Sequence, residues 1–134
     1  SAVPNLNVCA SNINLAGAEV ELVPMMARES RLKEKLEKVE NDFHYIIIDC
    51  PSSLTTLTQN AFSSSNSVLI PMQCEFFSME VISQLLNTIL RVQRSTNNNL
   101  QIEGVLLTML DSRTNLGFEV VEDIRSFFKE KFLF

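Results

Sequence analysis

Three apolar runs in this chain do not alternate. They are YIIIDC from Tyr45, SVLIP from Ser67 and IEGVLLTML from Ile102. A strand with one wet face places a polar residue at every second position, so a continuous apolar run implies burial on both faces. Burial on both faces requires helices above and below the sheet. The intervening segments have helical spacing. LTTLTQNAF carries Leu54, Leu57 and Ala61. SMEVISQLLNTILRVQR carries Val81, Leu85, Ile89 and Val92, and STNNN stops it. NLGFEVVEDIRSFFKEKF carries Phe118, Val121, Ile124 or Arg125, and Phe128. The repeated order strand, helix, strand, helix is that of an α/β fold with a parallel sheet and right-handed crossovers.

Upstream, RESRLKEKLEKVEND reads as an amphipathic helix with a Leu32, Leu36, Val39 stripe. Glu29 to Lys33 and Glu34 to Lys38 are spaced as outward i,i+4 pairs. Its interleaved glutamates favour a solvated face over a nucleic-acid contact, which needs uncompensated positive charge. NLAGAEVELV has a weaker helical pattern, interrupted by Gly17 and Val20, and LNV at 6–8 is a short strand candidate.

The 134 residues suffice for one domain. A net charge of −5 argues against an overall cationic nucleic-acid binder, although a local basic patch remains compatible with it. No apolar stretch is long enough to span a bilayer, and SAVPNLNVCAS lacks the basic-then-apolar pattern of a signal peptide, so the chain reads as cytoplasmic. Cys9, Cys50 and Cys74 are odd in number and form no C-x-x-C pair, which disfavours a disulfide scaffold or a zinc site. Cys50 and Cys74 fit as small apolar fillers beside strand ends. His44 has no nucleophile partner in sequence and is expected at the surface. Ser52 and Ser53 follow Pro51 rather than sitting in G-x-S-x-G, which argues against a hydrolase nucleophile.

In a parallel sheet, ligands bind outside the carboxyl ends of the strands. Polar groups follow all three runs: Asp49, Ser52 and Ser53 after the first, Gln73 and Glu75 after the second, and Thr108, Asp111 and Arg113 after the third. Any one of these can be a cap or turn residue. Their convergence on one edge makes a ligand site the alternative. An aspartate that ends a buried strand can hold hydrated magnesium beside nucleotide phosphates.

AGAEVELVP, YIIIDCPSSL, IPMQCEFFSMEVISQLLNTI and IEGVLLTMLDSRTNLG resemble the ParA/Soj chromosome- and plasmid-partitioning ATPases, the deviant-Walker class that includes MinD. The likeness runs over nearly the whole chain and is nearer to the Soj type than to MinD. It implies a P-loop NTPase-like fold, a partial three-layer αβα sandwich, with residues 1–134 forming a single, incomplete domain. It also implies that Asp49 is the second Walker aspartate, holding magnesium through water, and that Cys50, Pro51, Ser52 and Ser53 belong to the second switch. In the family's D-x-P-P-S form, Ser52 stands in place of the second proline. Gln73 and Glu75 match a segment at the nucleotide and dimer face. Thr108, Met109 and Asp111 lie where relatives hold the base, and Arg113 matches a DNA-facing basic position.

The whole family member implied by this likeness binds ATP and magnesium, forms an ATP-dependent homodimer and coats nucleoid DNA without sequence specificity. It hydrolyses ATP when a ParB/Spo0J-type partner engages, and it needs no membrane. The departures are as specific as the match. The family's K-G-G-V-G-K-T phosphate loop, its D-x-D-P-Q first switch and its P-R-N-x-x-x-x-E-A-P segment are absent from these residues. The only glycines are Gly17, Gly104 and Gly117. The expectation is an internal piece of a longer ATPase that by itself binds nucleotide weakly or not at all and has no catalytic residue. The alternatives are a non-catalytic interaction module that keeps the dimer or partner surface, and a MinD-like division-site regulator. The terminal FFKEKFLF is apolar enough to need cover and is a candidate for self-association.

Overall fold

A computed structural model describes residues 3–73, 79–109, 121–122, 124–126, 128 and 132–133. Its sheet has three parallel strands in the order β1 (Ser67–Gln73), β2 (Gln101–Thr108) and β3 (Phe132–Leu133). Parallel neighbours cannot be joined by a hairpin. Ahead of the sheet come α1 (Leu15–Leu22), α2 (Arg31–Leu36) and α3 (Thr56–Ser64), and α4 (Met79–Ser95) makes the crossover from β1 to β2. The expected α/β class with a parallel sheet is therefore present.

The core forms where the helices meet β1 and β2. Phe62 of α3, Ile89 and Val92 of α4, Leu100, Ile70 of β1, Val105 of β2 and Ile124 make one buried cluster. In α4 the buried stripe is Ile82, Ile89 and Val92, with Leu85 packed against the cluster. Val81, expected in that stripe, is 63% exposed. Ile82 takes its place, while Leu85, Ile89 and Val92 lie on the core as expected, because Ile82, Leu85 and Ile89 satisfy the i, i+3, i+7 spacing as well as Val81 does. In the last helical stretch Ile124 is buried and Arg125 exposed, which resolves that pair in favour of the apolar residue. Phe118 lies outside the described residues.

Two expected strands do not form. Residues 45–50 have no ladder partner among the described residues, and Tyr45 and Ile47 are 88% and 92% exposed. Leu6 and Val8 of LNV are likewise exposed and outside any strand. Apolar composition makes a segment suitable for a sheet, but the strand exists only where a neighbour supplies the hydrogen bonds. β1 pairs with β2 on one side, and among the described residues nothing pairs along its other edge. The sequence pattern ends this strand at Pro71. Instead β1 runs through that residue, with Pro71 in register with Leu106, as an edge strand permits.

The amphipathic segment at 28–42 is also broken up. It forms a 3-10 turn at Arg28–Ser30, then α2, then a second 3-10 turn at Glu40–Asp42. The expected i,i+4 pairs are replaced by shorter ones, Arg28 to Glu29 at 3.0 Å and Arg31 to Glu34 at 3.4 Å. Both arginines also reach back to close the preceding loop: Arg28 donates to the Val23 carbonyl and Arg31 to the Met26 carbonyl. These contacts hold a chain that turns at Ala27 in the left-handed region, with φ 52°.

Candidate functional site

The strand ends define one rim. Gln73 and Thr108 are the last residues of β1 and β2 and stand opposite each other in register. The Thr108 hydroxyl donates to the Met72 carbonyl at 3.1 Å, tying the two ends together. Immediately beyond, Met109 takes φ 57° and is 72% exposed. Left-handed backbone is uncommon for a side chain of this kind and concentrates at functional turns. Of the expected rim residues, Glu75, Asp111 and Arg113 lie outside the described residues, as does Cys74.

Asp49 is exposed and sits in the unpaired segment that leads into α3. Among the described residues no hydrogen bond connects it to Gln73 or Thr108. Cys50 beside it is half-buried, with Sγ 3.8 Å from the Ile48 carbonyl. Burial pushes the Cys50 thiol above its ordinary pKa, and the Asp49 charge adds to that shift. Both effects disfavour the thiolate. Asp49→Asn is therefore expected to lower the Cys50 pKa while leaving it above that of a free thiol. The pH dependence of Cys50 alkylation in a Cys9→Ser background that also lacks Cys74 measures this, and an unchanged profile would refute the coupling. Because the folded-state pKa is raised, this thiol favours folding at pH values below its unfolded pKa. That contribution is lost as pH rises through the folded value.

The turn at 50–53 is anchored from below. Thr58, buried in α3, donates from Oγ1 to the Ser53 carbonyl at 2.6 Å. Pro51, Ser52 and Ser53 are exposed above that anchor. Deeper in α3, Asn60 is 4% exposed and fully used: its Oδ1 accepts from the Leu32 amide at 3.0 Å, and its Nδ2 donates to the carbonyls of Arg28 at 2.8 Å and Thr56 at 2.9 Å. At the far end of α3, Asn97 donates to the Phe62 and Ser65 carbonyls at 2.9 and 2.7 Å, occupying carbonyls that a helix end leaves without partners. Sequence reasoning missed Thr58, Asn60 and Asn97. For the first two the available signal was a run of uncharged polar residues inside a helix that must pack on a core, which calls for internal hydrogen bonds.

A triphosphate needs backbone amides in a glycine-rich nest and a lysine to offset its charge. Gly17 and Gly104, the two described glycines, belong to α1 and β2 and form no such nest. Asp49 alone adds negative charge, so the described residues do not by themselves fit a nucleotide.

The family model described as an AAA domain matches residues 1–102. The chain belongs to that family, among the ParA/Soj-type partitioning ATPases. It is 56% identical over 131 residues to the sporulation initiation inhibitor protein Soj of Bacillus subtilis, covering 98% of this chain and 52% of that protein. It is 48% identical over 126 residues to the chromosome partitioning protein ParA of Myxococcus xanthus, covering 94% of this chain and 44% of that one. Among solved structures, the cobyrinic acid a,c-diamide synthase of Mycobacterium smegmatis with bound ADP and magnesium superposes with a TM-score of 0.82 at 41% identity. That match covers 89% of this chain and 49% of the synthase. The chain thus spans about half the length of the relatives it matches, and its sheet is of the P-loop ATPase kind.

Proposed function

We propose that this chain is the magnesium-side half of a ParA/Soj-type ATPase that partitions chromosomes or plasmids. The observation that carries the reading is the segment at 49–53. It leaves an apolar run, exposes Asp49, and enters α3 through a turn held by the Thr58-to-Ser53 hydrogen bond. An exposed carboxylate on an anchored turn is what a nucleotide switch requires: an acid fixed near the metal and a loop free to respond to the γ-phosphate. In this reading Asp49 holds magnesium through water, and Cys50, Pro51, Ser52 and Ser53 form the second switch.

Gln73 and Glu75 face the nucleotide and the partner subunit, Thr108, Met109 and Asp111 lie on the base side, and Arg113 contacts DNA phosphates. The intact protein binds ATP and Mg2+, dimerises with itself, holds non-specific DNA and is stimulated by a ParB/Spo0J-type protein. The edge of β1 that has no partner among the described residues and the apolar residues 45–48, of which Tyr45, Ile46 and Ile47 are exposed, take their strand partners from the remainder of such a protein. Soj, ParA and the ADP- and magnesium-bound synthase support the family-level part of this reading by likeness.

The test is turnover. The purified 134-residue chain is expected to show no magnesium-dependent ATP hydrolysis. The full-length protein is expected to hydrolyse ATP and to lose about 100-fold or more on Asp49→Ala, the scale of removing a group that stabilises transition-state charge. Magnesium-dependent turnover by the chain alone that Asp49→Ala abolishes would overturn its dependence on a phosphate loop. Full activity in the Asp49→Ala protein would overturn the role of Asp49. For DNA, Arg113→Ala in the intact protein should weaken binding to all sequences alike and flatten its salt dependence. Unchanged binding would remove that assignment.

A further inference from the structure

The hydroxyl of Thr58 is used differently from others in these helices. Ser64, Thr88 and Ser95 each donate to the carbonyl four residues earlier, those of Asn60, Gln84 and Arg91, at 2.8, 2.9 and 2.8 Å. That back-bond is the ordinary use of a serine or threonine inside a helix. The Thr58 hydroxyl instead reaches five residues back, past the start of α3, to the Ser53 carbonyl at 2.6 Å.

The two ends of this bond differ in their surroundings. Thr58 is 2% exposed. Its helix is held from two sides: Phe62 enters the buried cluster, and Asn60 binds the Arg28 carbonyl and the Leu32 amide. Ser53 is exposed and belongs to no helix or strand. The bond therefore ties an exposed turn to a packed helix.

The backbone between Asp49 and that tie is short and already restricted. Pro51 fixes its own φ and biases Cys50 towards extended backbone. Most of the remaining freedom lies at Ser52 and Ser53, and the bond to the Ser53 carbonyl restrains it.

We propose that Thr58 is a positioning residue: through the Ser53 carbonyl, its hydroxyl sets where the turn holds Asp49. The inference rests on the reading of 49–53 as a magnesium-side switch. Without the hydroxyl the turn samples more conformations, and a metal site built on it has to order them before it forms.

ATP hydrolysis by the full-length protein, measured against magnesium concentration, tests it. Thr58→Val is expected to raise the magnesium concentration for half-maximal turnover about fivefold, the scale of one neutral hydrogen bond. A variant that merely lost stability would have a smaller active fraction, which lowers the maximal rate and leaves that concentration alone. Thr58→Ser keeps the hydroxyl and should stay within about twofold of wild type. A packing role gives the reverse order, because valine keeps the branched shape and serine does not. Thr58→Ala, which puts no second methyl against the carbonyl, carries the same expectation as Thr58→Val and serves if the valine variant does not fold. An unchanged magnesium requirement in these two variants, in a protein that Asp49→Ala inactivates, would overturn the role of Thr58 alone. Thr58→Ser as impaired as Thr58→Val would overturn it as well. Full activity in Asp49→Ala would instead overturn the switch reading beneath it.

Discussion

Replacing Asn60 with alanine is expected to destabilise the chain by about 3 kcal/mol, measured by urea unfolding. The amide joins α3 to the 3-10 turn at Arg28–Ser30 and to the start of α2, segments 28 to 32 residues away in sequence. Truncation strands the Leu32 amide proton and the Arg28 carbonyl at a side chain that is 4% exposed. A buried group without a partner costs its whole desolvation energy, which is why the expected loss exceeds the worth of one average hydrogen bond.

Asn60→Asp separates this account from a packing effect. The introduced carboxyl keeps the acceptor for Leu32 but turns an oxygen towards two carbonyls. In its neutral form it can still donate once, whereas the ionised form cannot donate at all. Its folded pKa must therefore lie above the unfolded value of about 3.9. A raised pKa means stability that is present below the unfolded value and lost as pH rises through the folded one. The variant should thus be markedly more stable near pH 4 than near pH 7, a window of about three units above the unfolded pKa. A flat difference from wild type across that range would show that the hydrogen bonds carry little of the effect.

Ile89→Ala is expected to cost about 2–5 kcal/mol, with the upper half of that range favoured by its position. Ile89 is 1% exposed and belongs to the buried cluster with Phe62, Ile70, Val105 and Ile124. These residues come from two helices, two strands and the C-terminal helical stretch, so no single side chain can move in to fill the space. Such a loss is a large share of the roughly 5–15 kcal/mol that holds a typical domain together. Val81→Ala on the same helix is the control. Val81 is 63% exposed, and the change should stay within about 0.5 kcal/mol. Equal losses at Ile89 and Val81 would mean that the buried face of α4 is not the one described.

Helix α4 also marks how far sequence patterning reaches. Its extent and amphipathic character are legible because 17 residues average out single errors in the pattern. The exact face is less legible, since the sequence offers Val81 and Ile82 as neighbouring candidates and only the position of the sheet chooses between them. The segment at 28–42 is less legible still. Its charge pattern suits a long helix, yet the buried Asn60 amide takes the Arg28 carbonyl and the Leu32 amide. The chain there turns as 3-10 and α helix in short pieces.

For the site, the carboxyl-edge rule placed Gln73 and Thr108 correctly beside each other, because register in a parallel pair is set by the same apolar pattern that identifies the strands. It could not anticipate that Asp49 would lie in a segment with no ladder partner among the described residues. Nor could it anticipate Thr58 under the turn at 50–53 or the hydroxyl pair of Ser63 and Thr96, which are 33 residues apart in sequence.

Taken alone, the sequence determined the class of fold, the parallel order of the elements, the core stripe of α4 to within one residue, and the family through its motifs. These follow from local periodicity and side-chain chemistry, which each segment carries wherever it lies. The tertiary structure decided which apolar runs became strands. Tyr45 to Ile48 has the more strongly apolar composition, yet it is β1, interrupted by Pro71, that is paired. A strand is stabilised by a neighbour's hydrogen bonds, and the presence of that neighbour is not written in the run itself.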